Sequence, residues 1–491
     1  MAGKTRCRGG LVADEMGLGK TIQIIGTMAA NPLPHTLIVV PLSLLRQWAD
    51  ALRKGEVYTP VVYHGPGKAQ LKPEEIAAAT VVLTTYGTLA TAAQAEKPGP
   101  LHDHTWDRIV CDEAHHLRNR QTKAHAGMVK IQSPIRWLLT GTPVQNRKSD
   151  FYSLCAAMGI PQGYYLKPEN LASLARAFIL KRTKKIAGLS LPRLSKCTEK
   201  VEWANKDEAR LAEDIHALLA FSGVVEHGRH RRDDLGTTQV PGGTSASAFG
   251  RTSLPLLVRA RQACVHPPLM RDHLARLQAA GMIEKQDWLM SATQSSSKIA
   301  AVLDKLRERK DNGSRKLVFC HYRGEIDALI QGVSAQGARA ASLDGRTPPS
   351  RRRELLTPER EEDHVDVLVL QIQTGCEGLN LQSFSEVYFV SPHWNPSVED
   401  QAIARCHRMG QTRPVNVFRF VMEGFDLASE TRSVEAYTRD VQWHKRSLVA
   451  ELEQARTTLT SPHSHSPSQS PFARSRPPPP KTVDGEEELP G

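Results

Sequence analysis

Asp14-Glu15-Met16-Gly17-Leu18-Gly19-Lys20-Thr21 decides the fold of this 491-residue chain. It follows a short apolar run, Leu11-Val12-Ala13, and precedes a segment of helical character from Ile22 to Ala30. Strand, glycine-rich loop and helix in that order form a phosphate cradle. The loop's backbone N–H groups face an anion, and the helix N-terminus favours negative charge. In such a loop Lys20 reaches the β- and γ-phosphates of a nucleotide and Thr21 holds Mg²⁺. One position departs from the G-x-x-x-x-G-K-[ST] pattern, because Asp14 stands where the first glycine would be.

Downstream of the loop, short apolar runs alternate with helical segments. Thr36–Val40, Thr80–Thr84, Arg108–Cys111 and Arg136–Thr140 have apolar, often β-branched centres, as buried parallel strands do. A second set follows after about residue 296: Lys316–Phe319, Arg339–Leu343, Val365–Leu370 and Glu386–Val390, with Arg339–Leu343 the poorest in β-branched residues. The expected fold class is α/β, with two RecA-like, doubly wound parallel-sheet lobes whose ligands lie at the carboxyl ends of the strands. The expected domains are a first lobe over 1–200, a helical linker over 201–295, a second lobe over 296–455 and a disordered tail over 456–491. Asp207–Ser222 and Leu254–Leu277 read as helices. The Gly-, Ser- and Arg-rich stretch 223–252 between them reads as a disordered insert.

The net charge of +12 and pI near 9.3 suit a polyanionic partner, although a solvated basic face gives the same numbers. No apolar stretch reaches the roughly 18 residues of a membrane span, and no membrane partner is expected. The eight cysteines form no C-x-x-C pair and no zinc-spaced array with histidine, which points to buried thiols.

Nucleotide hydrolysis needs held phosphates, a divalent metal, an oriented water and positive charge on the transition state. Lys20 and the loop residues Asp14, Gly17, Leu18 and Gly19 supply the first. Thr21 and Asp112 can share Mg²⁺, since Asp112 follows the strand Arg108–Cys111 and opens Asp112-Glu113-Ala114-His115. Glu113 is placed to orient the water. Arg405 and Arg408 are candidates for the transition-state charge; three apart, they share a face if the segment is helical.

These stretches, in this order, resemble the Swi/Snf-type ATPases, the DNA-translocating branch of the superfamily-two helicases. The phosphate loop resembles that family's, including its acid at the first position, and Asp112–His115 matches the DEAH box letter for letter. Val39–Trp48, Thr84-Thr85-Tyr86-Gly87 and Leu139–Asn146 are similar to its other first-lobe motifs. Leu343–Thr347, Thr374–Leu381 and Trp394-Asn395-Pro396 through Gln401, Arg405 and Arg408 are similar to those of the second lobe. Phe178–Arg182 and Arg261–Pro267 fall in family order between them. The pieces near Arg261 are closest to the repair-linked subgroup that carries a RING finger between its lobes, but the cysteine–histidine array of that finger is missing.

The resemblance implies ATP, with Mg²⁺, between the lobes. Gln401 would join the nucleotide site, and Arg405 and Arg408 would act as arginine fingers. It implies double-stranded DNA as partner, together with nucleosomes or other DNA-bound proteins, and residence in the nucleus. Backbone contacts are implied for Ser43, Thr85 and Tyr86 in lobe one and for Gly345, Arg346 and Thr374 in lobe two. Bland readings stand beside these: Ser43 and Thr85 as helix caps, Tyr86 as core, Arg351-Arg352-Arg353 as a solvated helix face and Trp394 as packing. The expected activity is ATP-dependent translocation on duplex DNA that remodels protein–DNA complexes or chromatin, with DNA repair as one setting. The alternatives are a DEAH-type RNA helicase and an ATPase-dead nucleic-acid-binding protein. The last follows because only Met1–Gly9 precede the loop region, where the family has an adenine-recognising segment.

Overall fold

The computed structural model describes residues 8–54, 56–92, 99–142, 148–219, 253–356, 365–375, 379–422, 424–425 and 433–457. Two all-parallel sheets organise them. The first holds β1 (Arg8–Val12), β2 (Thr36–Val40), β3 (Val61–Val62), β4 (Val81–Thr85), β5 (Arg108–Cys111), β6 (Ile135–Leu139) and β7 (Ile179–Leu180), in the order β3-β4-β2-β5-β6-β1-β7. The second holds β8 (Leu194–Val201), β9 (Lys316–Cys320), β10 (Ala340–Leu343), β11 (Val367–Gln371), β12 (Glu386–Phe389) and β13 (Val415–Met422), in the order β10-β11-β9-β12-β13-β8. This is the expected pair of α/β lobes.

The apolar runs of the sequence are strands buried on both faces. Successive side chains of β2 go to opposite cores: Leu37 and Val39 join one cluster with Ile109 and Leu138, and Ile38 and Val40 join another with Val110 and Leu139. A period of two with both faces apolar is what a sheet covered by helices on each side requires.

Two boundaries differ from expectation. β8 pairs with β13 along its whole length, Leu194 opposite Val415 through Val201 opposite Met422, so a first lobe ending at residue 200 takes in a strand of the second. The chain crosses between the sheets over residues 181–193. Nor is the 201–295 segment a separate linker. Leu211, Ile215 and Leu274 share one core with Val318, Tyr388 and Met422, so these helices cover a face of the second sheet. The helix expected over Leu254–Leu277 is two, Ser253–Val265 and Arg271–Ala279, because Pro267 and Pro268 remove backbone donors between them. The 223–252 insert lies outside the described residues, as does the tail beyond Thr457, where the terminal helix Val434–Thr457 ends. Among the described residues, no helix is long and apolar enough to cross a membrane.

Candidate nucleotide site between the lobes

β1 delivers the phosphate loop. Gly17 (φ 90°) and Gly19 (φ 72°) take the left-handed conformation that lets the chain turn into the helix Lys20–Ala30. Lys20 Nζ donates to the Asp14 carbonyl at 2.9 Å. Burial lowers the Lys20 pKa, opposed by the nearby charges of Glu113, Asp112 and Asp14.

Asp14, the departure from the loop pattern, is fully buried. Its carboxylate accepts from the Arg182 backbone N–H at 2.9 Å and from the Arg182 guanidinium at 2.5–3.2 Å; the guanidinium also donates to Gln23 Oε1 at 2.8 Å. Burial would raise the Asp14 pKa, but Arg182 and Gln23 outweigh it and hold it below the ordinary value. Asp14 therefore latches the phosphate loop to the start of the crossing segment. Lys184 adds a second tie: its N–H donates to Glu15 Oε2 at 2.8 Å and its ammonium to the His407 carbonyl at 2.9 Å. From the other side, His407 Nε2 lies 2.8 Å from the Pro192 carbonyl. Sequence reading placed Arg182 only in a connecting motif. The available signal was an acid in a glycine loop, which needs a cation once buried.

Replacing Arg182 with methionine is expected to cost about 3–5 kcal/mol, because it leaves the Asp14 carboxylate buried without its counter-ion. Asp14→Asn in the same background should restore most of that. In the native chain the lowered Asp14 pKa adds stability that is present above the unfolded value of 3.8 and is lost as pH falls through the folded one. An unpaired Asp14 reverses that sign, so the gap between native chain and variant should narrow from pH 7 to pH 5. Denaturant unfolding at the two pH values checks this, and a gap that widened would contradict it.

β5 delivers the acids. Asp112 is buried. Its Oδ2 accepts from Trp48 Nε1 at 2.7 Å and its Oδ1 from the Glu113 N–H at 2.8 Å, and its carbonyl accepts from the Tyr86 hydroxyl at 2.6 Å. Glu113 is left-handed (φ 47°, ψ 49°), a conformation that costs a non-glycine residue about 1–2 kcal/mol. Its carboxylate lies 3.3 Å from His115 Nδ1 and 3.9 Å from Arg405 Nη2, and His115 Nδ1 lies 3.5 Å from Thr140 Oγ1. Burial and the charge of Glu113 raise the Asp112 pKa. Burial pushes Glu113 the same way, but His115, Arg405 and Lys20 overcome it and hold Glu113 low. An acid kept ionised thus stands beside one whose pKa is raised despite the nearby charge of Lys20.

The second lobe supplies the arginines. The helix Pro396–Ile403 stops before them, so Arg405 and Arg408 share a turn rather than a helical face. Both still reach the first lobe. Arg405 approaches Glu113, and Arg408 packs on the phosphate loop so closely that a Cβ on Gly17 would lie 3.2 Å from its own. Among the described residues the buried Arg408 Nε has no acceptor. Burial, then repulsion from Arg405, lowers its pKa. Gln401 is buried in the helix with its Nε2 also lacking an acceptor. Thr21 is half-buried in the first turn after Lys20.

These groups fit a nucleotide with a divalent cation. Lys20 and Arg408 are half-buried positive charges around a loop built for phosphate, and Asp112 is a buried carboxylate near Lys20. Among the described residues no group of three His, Cys, Asp or Glu side chains could hold a metal alone. Thr21 and Asp112 would therefore hold Mg²⁺ together with phosphate oxygens and water.

The residues expected on nucleic acid separate into two groups. Ser43, Thr85 and Tyr86 line one cleft of about 850 Å³, with His64, Lys68 and His116 and with Arg352 from the other lobe. Arg352 belongs to the run read as a solvated helix face. Tyr86 is buried, its ring stacked on His116 with centroids 5.2 Å apart. Thr85 Oγ1 lies 3.0 Å from Thr88 Oγ1. Gly345 and Arg346 are not among the residues lining this cleft, and Arg346 is held by Asp344 and Asp327 at 2.7–3.2 Å. Thr374 sits in the short helix Ile372–Gly375. Trp394 packs against Tyr437, ring centroids 5.8 Å apart.

Residues 1–162 match the SNF2-related domain, and residues 297–410 match the helicase conserved C-terminal domain. A protein described as a probable global transactivator of Orgyia pseudotsugata multicapsid polyhedrosis virus is 29% identical over 90% of this chain and 86% of its own length. The DNA repair protein RAD5B of Arabidopsis thaliana is 26% identical over 90% of this chain and 45% of its own, and the helicase-like transcription factor of Mus musculus is 27% identical over 84% and 50%. The chain thus spans about half the length of these last two. The Hef helicase domain of Pyrococcus furiosus superposes with a TM-score of 0.52 at 18% identity, over 89% of this chain and 95% of that one, and so shares the fold.

Proposed function

From a chain that belongs to the SNF2-related, helicase-like ATPases, we infer an enzyme that hydrolyses ATP on double-stranded DNA and moves along it, displacing or remodelling DNA-bound proteins such as nucleosomes. One observation carries this reading: Lys20, Asp112 and Glu113 of one lobe meet Arg405 and Arg408 of the other across a single cleft. Lys20 and the loop hold the phosphates, Glu113 takes the proton of the attacking water, and the arginines meet the charge that grows on the transferred group. Bound Mg²⁺ would neutralise phosphate charge beside Thr21 and Asp112. When both lobes grip the nucleotide the cleft closes, and a second cleft that carries side chains from both lobes changes shape with it.

Contacts at Ser43, Thr85 and Arg352 suit phosphate rather than base edges, so binding should be independent of sequence. Each phosphate neutralised on duplex DNA should steepen the salt dependence by a log–log slope of about −0.9. The kinship with repair and chromatin proteins fits a nuclear role. ATP turnover measured alone, with duplex DNA and with duplex RNA of the same sequence tests the assignment. Duplex DNA should stimulate turnover and RNA should not. Equal stimulation by RNA, or none by DNA, would overturn it.

A further inference from the structure

Two segments that line the nucleic-acid cleft end on the same residue of the nucleotide site. Leu42 and Ser43 form the turn after β2, and Leu42 is 63% exposed there. The helix Leu45–Lys54 follows directly and carries Trp48, which is 1% exposed and donates to Asp112 Oδ2 at 2.7 Å. Trp48 follows Ser43 by five positions, about 8 Å of rise as the 3₁₀ turn runs into the helix. The second segment is shorter. Thr85 ends β4 and lines the cleft, and its neighbour Tyr86 donates to the Asp112 carbonyl at 2.6 Å.

Resting on the reading just given, we propose that Trp48 and Tyr86 are positioning residues that carry occupancy of the nucleic-acid cleft to Asp112, one through its carboxylate and the other through its backbone. Asp112 passes the displacement on, because its Oδ1 holds the N–H of Glu113, the residue in the left-handed conformation. Each carboxylate oxygen has two lone pairs, so the bonds from Trp48 and Glu113 orient Asp112 and still leave acceptor capacity for metal-bound water. A backbone bond alone would shift Asp112 along β5, and a side-chain bond alone would turn it. The two together fix both coordinates. A load on Ser43 or Thr85 reaches the acid through Trp48 and Tyr86, which are packed in the interior and transmit displacement with little loss.

The test uses the full chain with Tyr86→Phe, which removes only the hydroxyl, with Trp48→Phe, which removes the indole N–H, and with both. ATP turnover is measured with and without saturating duplex DNA, together with the Kd for that DNA and thermal unfolding. Loss of a hydrogen bond to a charged group is worth about tenfold or more, so the ratio of stimulated to unstimulated turnover should fall at least about tenfold in Trp48→Phe. A smaller fall is expected in Tyr86→Phe at saturating DNA, and the DNA Kd of Trp48→Phe should stay within about twofold of the native value. Because both bonds act through one residue, the double variant should lose less than the product of the single losses. A purely structural role would lower both rates in proportion and leave the ratio unchanged; that result in folded Tyr86→Phe and Trp48→Phe would overturn the proposal. If DNA fails to stimulate the native chain, the assigned DNA dependence fails first. If DNA stimulates the native chain and both variants equally, only the relay fails.

Discussion

Truncating Arg408 to alanine is expected to slow ATP turnover by about 10³–10⁵, the range found for arginine fingers, while nucleotide affinity stays within a few-fold of native. The reason lies in how Arg408 is held. The base of its side chain lies against Gly17, close enough that a Cβ there would come within 3.2 Å of the Arg408 Cβ, so the side chain starts at the phosphate loop. Its buried Nε has no acceptor among the described residues, and Arg405 is close enough to repel it. A cation kept there without an anion is stabilised when negative charge arrives, and most strongly when that charge spreads over the transferred group. Arg408→Lys should recover little, because an ammonium cannot reproduce the planar fork. Single-turnover hydrolysis beside equilibrium binding of a fluorescent ATP analogue separates the two effects. A variant that bound nucleotide weakly, or one that turned over within tenfold of native, would remove Arg408 from this role.

Glu113→Gln should lower turnover by about 10²–10⁴, the usual contribution of a positioned general base. The amide keeps the shape of the carboxylate and can still face His115, but it can neither take a proton nor balance Arg405. Here binding should move the other way from catalysis. Removing one negative charge from a site that must accept triphosphate favours the nucleotide, so affinity should hold or rise. His115, Arg405 and Lys20 hold the native Glu113 ionised, so its contribution does not require alkaline pH. Turnover within threefold of native in Glu113→Gln would mean that another group orients the water.

Both of these side chains were legible from the sequence, for a physical reason. Phosphate chemistry restricts the residue types and the strand ends on which they can stand, so a loop, an acid pair and an arginine pair at the right intervals are informative even before folding. The strands were legible because a parallel sheet covered on both faces leaves continuous apolar runs such as Thr36–Val40. What escaped were partners set by long-range packing. Arg182 is 168 residues from Asp14, and Trp48 is 64 from Asp112. No local periodicity announces such pairs. β8 escaped because an edge strand is mostly exposed, and Leu194–Val201 alternates charge with small residues. Arg405 and Arg408 show the opposite case. Both residues lie against the first lobe, but the expected helical face does not exist, since the chain leaves the helix at Ile403 to reach that lobe.

The crossing segment has a mechanical consequence. Arg182 and Lys184 tie its start to the phosphate loop, and Lys184 and Pro192 tie it to the arginine turn. Under the proposed function, the two lobes would therefore pivot close to the place where the nucleotide is hydrolysed. A rotation about that pivot moves the nearby catalytic groups through short arcs and the far ends of the sheets through long ones. If the chain steps along DNA as proposed, the nucleotide would need to supply only a small, stiff displacement, and the stride at the distant rim would be set by the radius of the lobes, much as a short crank drives a long oar.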